Sequence, residues 1–168
     1  IPEAVKSGEA VLLDGKGYYK RITTPEAFLD CQRHMLYNEN MSQRLTENNF
    51  SGAAIGEPVY IGENVSVLSG SVIESGSVID NNAVVKGGKV NGYVGIGSVV
   101  SERCDINSAV VCRGAVLDSG VKCGENSVIG EKAHIASEAV IEKGVGIWSG
   151  KNVEKGARLY ENVKRSSD

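Results

Sequence analysis

The sequence predicts a parallel β-helix, a chain wound into stacked triangular coils, and three observations predict it. First, an aliphatic or thiol side chain returns at every sixth residue: Val111, Leu117, Cys123, Ile129, Ile135, Ile141, Ile147, Val153 and Leu159. The same step runs from Ile55 to Val85 and from Val94 to Ile106. Neither a helix nor a plain strand has a period of six, so the coil itself must repeat. Second, the residue two before most rungs is small or β-branched, as at Ala115, Ser127 and Ala139. Positions two apart on a strand share a face, so each hexad turns one large and one small side chain inward. Third, 168 residues with two Phe, one Trp, 21 Gly and three Pro suit an interior of Ile, Val, Leu and Ala.

The pattern resembles the hexapeptide repeat of left-handed parallel β-helices, of form [LIV]-[GAED]-x-x-[STAV]-x, and eighteen hexads fit it. The left hand is what the resemblance implies; the general preference for right-handed crossovers points the other way. Three hexads per coil give about six coils, a prism roughly 29 Å tall at the ~4.8 Å strand spacing. Glycine often follows the rung, as Gly56, Gly62, Gly95, Gly124 and Gly130, for a corner with positive φ or for a close backbone approach. The register slips twice. Val85 to Val94 takes nine residues, which reads as a small loop thrown out from a corner. Ile106 to Val111 takes five, which reads as a shortened corner near Cys104 and Asp105. Loops on solenoids serve as binding elements, but both slips read first as plain irregularities.

The expected organisation is residues 1–50 as a separate N-terminal segment, 51–160 as the β-helix and 161–168 as a polar tail. In the first segment Ala10–Leu13 and Tyr18–Ile22 are strand candidates flanking the turn Asp14-Gly15-Lys16-Gly17, a possible hairpin. A helix starts at Thr24-Pro25-Glu26, with Thr24 as cap or Thr23 in a capping box with Glu26. Phe28, Leu29, Gln32, Met35 and Leu36 form its inward stripe. Residues 38–50 read as a helix tail or linker. A hairpin and one helix cannot build a core alone, so they must pack on the prism or on a domain outside this chain.

The run Ile1-Pro2-Glu3-Ala4 … Gly17-Tyr18-Tyr19-Lys20-Arg21-Ile22-Thr23-Thr24-Pro25-Glu26-Ala27-Phe28-Leu29 resembles the end of a sugar-1-phosphate nucleotidyltransferase catalytic domain. Within that family the mannose-1-phosphate guanylyltransferase type is the nearest in pattern. Val145-Gly146-Ile147-Trp148 with Lys151 and Val153 resembles a segment found in nucleotidyltransferase-like proteins fused to a phosphosugar mutase. The resemblance implies a parent that converts NTP and sugar-1-phosphate to nucleotide-sugar and pyrophosphate with Mg²⁺. This chain would be its accessory prism, non-catalytic by itself, serving oligomerisation and domain placement. The family's metal-holding Asp is Arg21 here, a permanent cation that cannot ligate a metal, so no metal or catalytic residue is carried over. Absence of an initiator Met, and only nine residues after Leu159, point the same way: to a catalytic domain upstream and a covering partner or further domain downstream.

Two other functions stand beside this one. A hexapeptide-repeat acyltransferase would use one outward histidine as general base at a subunit boundary, with acyl-CoA in the groove. His134 precedes the inward Ile135, so it points outward and is the candidate, although it reads first as an ordinary surface histidine without a partner acid. His34 reads as a helix-surface residue. The third possibility is a catalytically silent nucleotidyltransferase-like scaffold or regulatory subunit.

Gly87-Gly88 with Lys86 and Lys89 is a weak candidate for touching phosphate, and Trp148 is a corner residue that packs under a loop or anchors an interface. Cys31, Cys104, Cys112 and Cys123 lack metal spacing and read as free thiols in a cytoplasmic setting, which makes the sequons at Asn49 and Asn64 chance matches. Net charge −3 and the lack of a basic run exclude a nucleic-acid surface. There is no stretch of about 18 apolar residues for a membrane. A homo-oligomer through the β-helix is the expected partner state.

Overall fold

The computed structural model describes residues 17–38, 41, 43–44, 50 and 52–164. They form a left-handed parallel β-helix of about six turns, preceded by one helix, α1, Pro25–Asn38. Every expected rung from Ile61 to Val153 is buried, most at 0–2% exposure, in one continuous apolar core. The strands are two residues long almost everywhere, because each hexad gives only one inward–outward alternation before the next corner.

The prism has three faces. Face A carries Tyr60, Val78, Tyr93, Val110, Val128 and Gly146 in register. Face B carries Ala54, Val72, Lys89, Asp105, Lys122, Val140 and Arg158. Face C carries Ser66, Val84, Val99, Val116, His134 and Asn152. Backbone hydrogen bonds run from coil to coil, as from Val116 N to Ala133 O (2.9 Å) and from His134 N to Lys151 O (2.9 Å).

The corners separate two roles for glycine. Positive φ falls three residues after the rung, as at Gly144 (φ 72°) and at the non-glycine Asn126 (φ 58°). Glycine directly after the rung serves close approach: a Cβ on Gly124 would lie 2.7 Å from Lys143 N on the next coil.

Both slips have causes different from those expected. The first is no loop. Lys89–Val94 is one unbroken strand running from face B to face A, and Val90, fully buried, is a rung that counting by six passes over. The second shortened corner lies at Asn107–Ala109, inside the strand Asp105–Val111, rather than near Cys104. Two adjacent coils thus lose their A/B corner, and the strands weld faces A and B into one twelve-stranded sheet. Val84 pairs with Val99 and Val99 with Val116, so these coils take 15 and 17 residues where Val116 to His134 takes 18.

Helix α1 fills the notch that the missing corners leave. Thr24 is its cap: Thr24 Oγ1 accepts from Ala27 N at 3.1 Å, leaving Pro25 first in the helix. Leu29 and Leu36 are buried on the expected stripe. Gln32 Nε2 donates to Gly76 O (2.7 Å) and Gly92 O (3.1 Å), and Arg33 donates to Ser108 Oγ (3.0 Å). Buried serines take up backbone N–H groups within and just before the first straightened strand. Gly87 N donates to Ser71 Oγ (2.8 Å) and Gly92 N to Ser77 Oγ (3.3 Å).

Tyr18–Ile22 forms no strand, and the other half of the expected hairpin lies outside the described residues. Part of the expected linker does: Gln43–Arg44 pairs with Tyr60–Ile61 on face A. At the far end Val163 continues the coil beside Ile147, with Trp148 N donating to Val163 O (3.0 Å).

Candidate functional site

His134 stands on face C because the alternation around the buried Ala133 and Ile135 leaves its side chain no other direction. One coil earlier, Asp118 follows the buried Leu117 and is also turned outward. Residues 18 apart are stacked here, so residues 16 apart are diagonal neighbours. His134 Nε2 lies 3.0 Å from Asp118 Oδ2, the side chains 48% and 37% exposed. The expectation of a histidine without a partner acid is therefore corrected: stacking supplies one that spacing along the chain conceals. An ionised carboxylate only accepts, so Nε2 carries the proton of a neutral His134 and its lone pair sits on Nδ1. That arrangement holds the ring in one orientation and leaves Nδ1 able to accept a proton. Asn152 is the next residue in the column and extends its polar surface.

Along the A/C corner lies a hollow of about 500 Å³ lined by Cys112, Arg113, Val128, Gly130, Glu131, Ile147, Trp148 and Ser149. Trp148 is 52% exposed and under no loop among the described residues. Arg113 pairs with Glu131 at 3.1 Å, while Lys132 reaches toward the same carboxylate at 3.7 Å. Burial pushes the Cys112 thiol up, so at neutral pH it is an apolar lining group. A second hollow of about 530 Å³ shares Cys112, Arg113 and Val128 and is closed on its other side by Ile22, Thr24, Pro25 and Phe28.

Other sequence candidates take structural roles. The Gly87 N–H is engaged by Ser71 and Lys89 pairs with Glu74 at 2.7 Å, so this glycine pair offers no phosphate cradle. His34 stacks on Tyr18 (3.5 Å between centroids, 11°). Arg21 is exposed on the segment before α1. Along the last coils Lys143 meets Glu125 and Arg158 meets Glu142, each at 2.7 Å. No helix among the described residues is long and apolar enough to cross a membrane.

No protein-family model and no curated protein matches the chain. Solved structures do. A histidine-to-alanine mutant of GDP-perosamine N-acetyltransferase from Caulobacter crescentus, in complex with CoA and GDP-perosamine, is 22% identical over 68% of this chain and 50% of its own, with TM-score 0.44. The acetyltransferase domain of PglB from Neisseria gonorrhoeae with acetyl coenzyme A is 21% identical over 64% and 50%, TM-score 0.27. A hexapeptide transferase family protein from Anaplasma phagocytophilum is 19% identical over 63% and 68%, TM-score 0.37.

The likeness is one of fold. The chain spans about half the length of the first of these proteins. The reading as the end of a nucleotidyltransferase is corrected by them: two of these structures are acetyltransferases, one with CoA and GDP-perosamine and one with acetyl coenzyme A, the third is a hexapeptide transferase family protein, and none is a nucleotidyltransferase. The Mg²⁺ assignment and the non-catalytic accessory role fall with it. The physical reason for the misreading is visible in α1. Its stripe, which the motif comparison assigned to another domain, is cut to fit this prism's own notch through Gln32 and Arg33.

Proposed function

We propose that this chain is an acyltransferase that moves an acyl group from a coenzyme A thioester to an amine or hydroxyl of a small polar acceptor. The observation that carries the reading is the His134–Asp118 pair, an oriented imidazole on an open face. His134 Nδ1 takes the proton from the acceptor amine or hydroxyl as that atom bonds to the acyl carbon. Asp118 is a positioning residue: it fixes the ring and favours the imidazolium that the proton transfer creates. The A/C corner suits the donor. Trp148, Val128 and Cys112 give an apolar wall for a pantetheine arm, and Arg113 in the lining, with Lys132 reaching toward the same Glu131 carboxylate, supplies cations that would meet phosphates. A bound acyl-CoA supplies the activated carbonyl. An amino sugar carried on a nucleoside diphosphate is the acceptor class to try first, being the kind of molecule held by the Caulobacter protein.

A homo-oligomer through the β-helix fits this reading, with His134 exposed on face C where a second subunit could bound it. Free thiols at all four cysteines fit a reducing, cytoplasmic setting.

The test is thiol release from acetyl-CoA with a panel of nucleotide-linked and free amino sugars. His134→Asn is expected to lower kcat by roughly 10²–10⁴-fold. Asp118→Asn is expected to lower kcat with little change in KM and to alter the pH profile, which loss of packing alone would not do. Acyl transfer at the wild-type rate by His134→Asn would remove the proposal.

A further inference from the structure

Acyl transfer uses the hollow lined by Trp148 for the pantetheine arm of the donor and leaves the second hollow, of about 530 Å³, without a role. The two share a border, since Cys112, Arg113 and Val128 line both. Past that border the walls change character. Phe28 and Tyr93 meet at right angles (5.4 Å, 89°), with Pro25 beside them. Tyr93 is pinned from behind, its hydroxyl donating to Asp80 Oδ2 (2.9 Å). Thr24 also lines the hollow. Its Oγ1 accepts the cap bond from Ala27 N, which leaves the hydroxyl hydrogen available to donate. Arg113 stands at the border, 64% exposed. Its Nη2 meets Glu131 (3.1 Å), and the remaining donors of the guanidinium fork suit a phosphate.

We infer that the hollow under the N-terminal end of α1 seats the adenine nucleoside of the donor, with Arg113 on the phosphates between the two hollows. The identity of that donor rests on the acyl-transfer reading. Coenzyme A is a pantetheine arm, a diphosphate and an adenosine in that order. The walls run in the same order: an apolar side at Trp148, a cation at Arg113 and an aromatic slot at Phe28 and Tyr93. A purine is planar and stacks on an aromatic ring, and its ring nitrogens accept from a hydroxyl such as that of Thr24. The thioester end points the other way, for Glu131 in the Trp148 hollow precedes His134 by three residues of the same coil. The segment Ile22–Phe28 is thus a specificity element. It favours a thioester carried on a nucleotide over a bare one.

Two donors and one fragment test this. Calorimetry is expected to show the whole chain binding adenosine 3′,5′-bisphosphate, which carries neither thiol nor acyl group. Phe28 and Phe50 are the two phenylalanines, so fluorine NMR of fluorophenylalanine-labelled protein watches the slot directly. The Phe28 signal, assigned with Phe28→Leu, is expected to shift on binding while that of Phe50 stays still. Phe28→Ala is expected to weaken the fragment roughly 10-fold, the loss of one stacked base. Ile22→Asp, at a half-exposed position outside α1, puts a negative charge in the lining and is expected to weaken it with an unchanged circular dichroism spectrum. Both variants are expected to raise KM for acetyl-CoA and to leave kcat/KM for S-acetyl-pantetheine unchanged, which damage to the fold would not do. Equal losses with the two donors overturn the inference. So does a fragment that fails to bind, or that binds without moving the Phe28 signal. Binding at Phe28 without any acyl transfer keeps the nucleoside seat and removes the acyl-transfer reading instead.

Discussion

The coils from Val111 to Leu159 and the stretch from Val85 to Val111 are built from the same residues by different rules. In the first, each hexad closes on itself: an inward pair, a corner, and a register of 18 residues to the coil above. In the second, Val90, Gly92 and Val94 are all inward, so a period of two replaces the period of six and the chain runs straight through a corner. The regular coils satisfy their backbone with one another. The straightened ones depend on Ser71, Ser77, Gln32 and Arg33. Regularity makes a solenoid nearly additive from coil to coil; its local loss creates a place where another element must dock.

The widest gap between the two regions is expected at glycine. Gly92 has φ 147° and an added Cβ would collide with the Ala109 backbone of the next straightened strand. Gly92→Ala is expected to cost about 3 kcal/mol or more, measured by denaturant unfolding. Gly144, at a regular corner with open space around it, is expected to lose only about 1 kcal/mol on the same change, the cost of a left-handed Ala. Equal losses would mean that the straightened corner is no more constrained than the others.

Gln32→Leu comes next. It keeps the side chain's volume and removes the donor to two carbonyls, so a loss of about 1–3 kcal/mol is expected. Faster hydrogen exchange should appear in the Val85–Val111 coils and leave the Val111–Leu159 coils unaffected. A uniform change along the prism would show that the helix does not act at the notch.

The smallest effect belongs to the axial ion pairs of the regular coils. Lys143 beside Glu125 holds that carboxyl below its ordinary range. A depressed folded value means that the pair contributes above the unfolded carboxylate pKa and loses its contribution as pH falls through the folded one. At low salt, Lys143→Met is expected to melt slightly below the parent at neutral pH, and the two curves are expected to converge below roughly pH 4. Both groups are exposed, so the difference shrinks with added salt.

What was legible follows from how information is stored in a coil. Rungs, inward small residues and the capped helix start each depend on neighbours within six residues, and all were readable. Val90 was not, because a fixed step of six skips it, although the alternation Val90-x-Gly92-x-Val94 is an ordinary strand signal in plain view. Asp118 was hidden for another reason. Its partner His134 lies one coil minus two residues away, a relation that exists only after the coil length is known. Motif likeness in the first 30 residues misled because it scored letters such as Thr24-Pro25-Glu26, which any capped helix start favours.

Gln32 touches carbonyls of two successive coils, and Arg33 reaches Ser108 on a third. A solenoid comes apart from its ends, coil by coil, with little to stop the fraying once begun. A strut tied across three coils turns that gradual unravelling into a single event. Coils on the N-terminal side cannot release past Ser108 until the helix has let go of all of them together. The molecule therefore has a ratchet point near the middle of its axis, and its two ends should wear down at different rates.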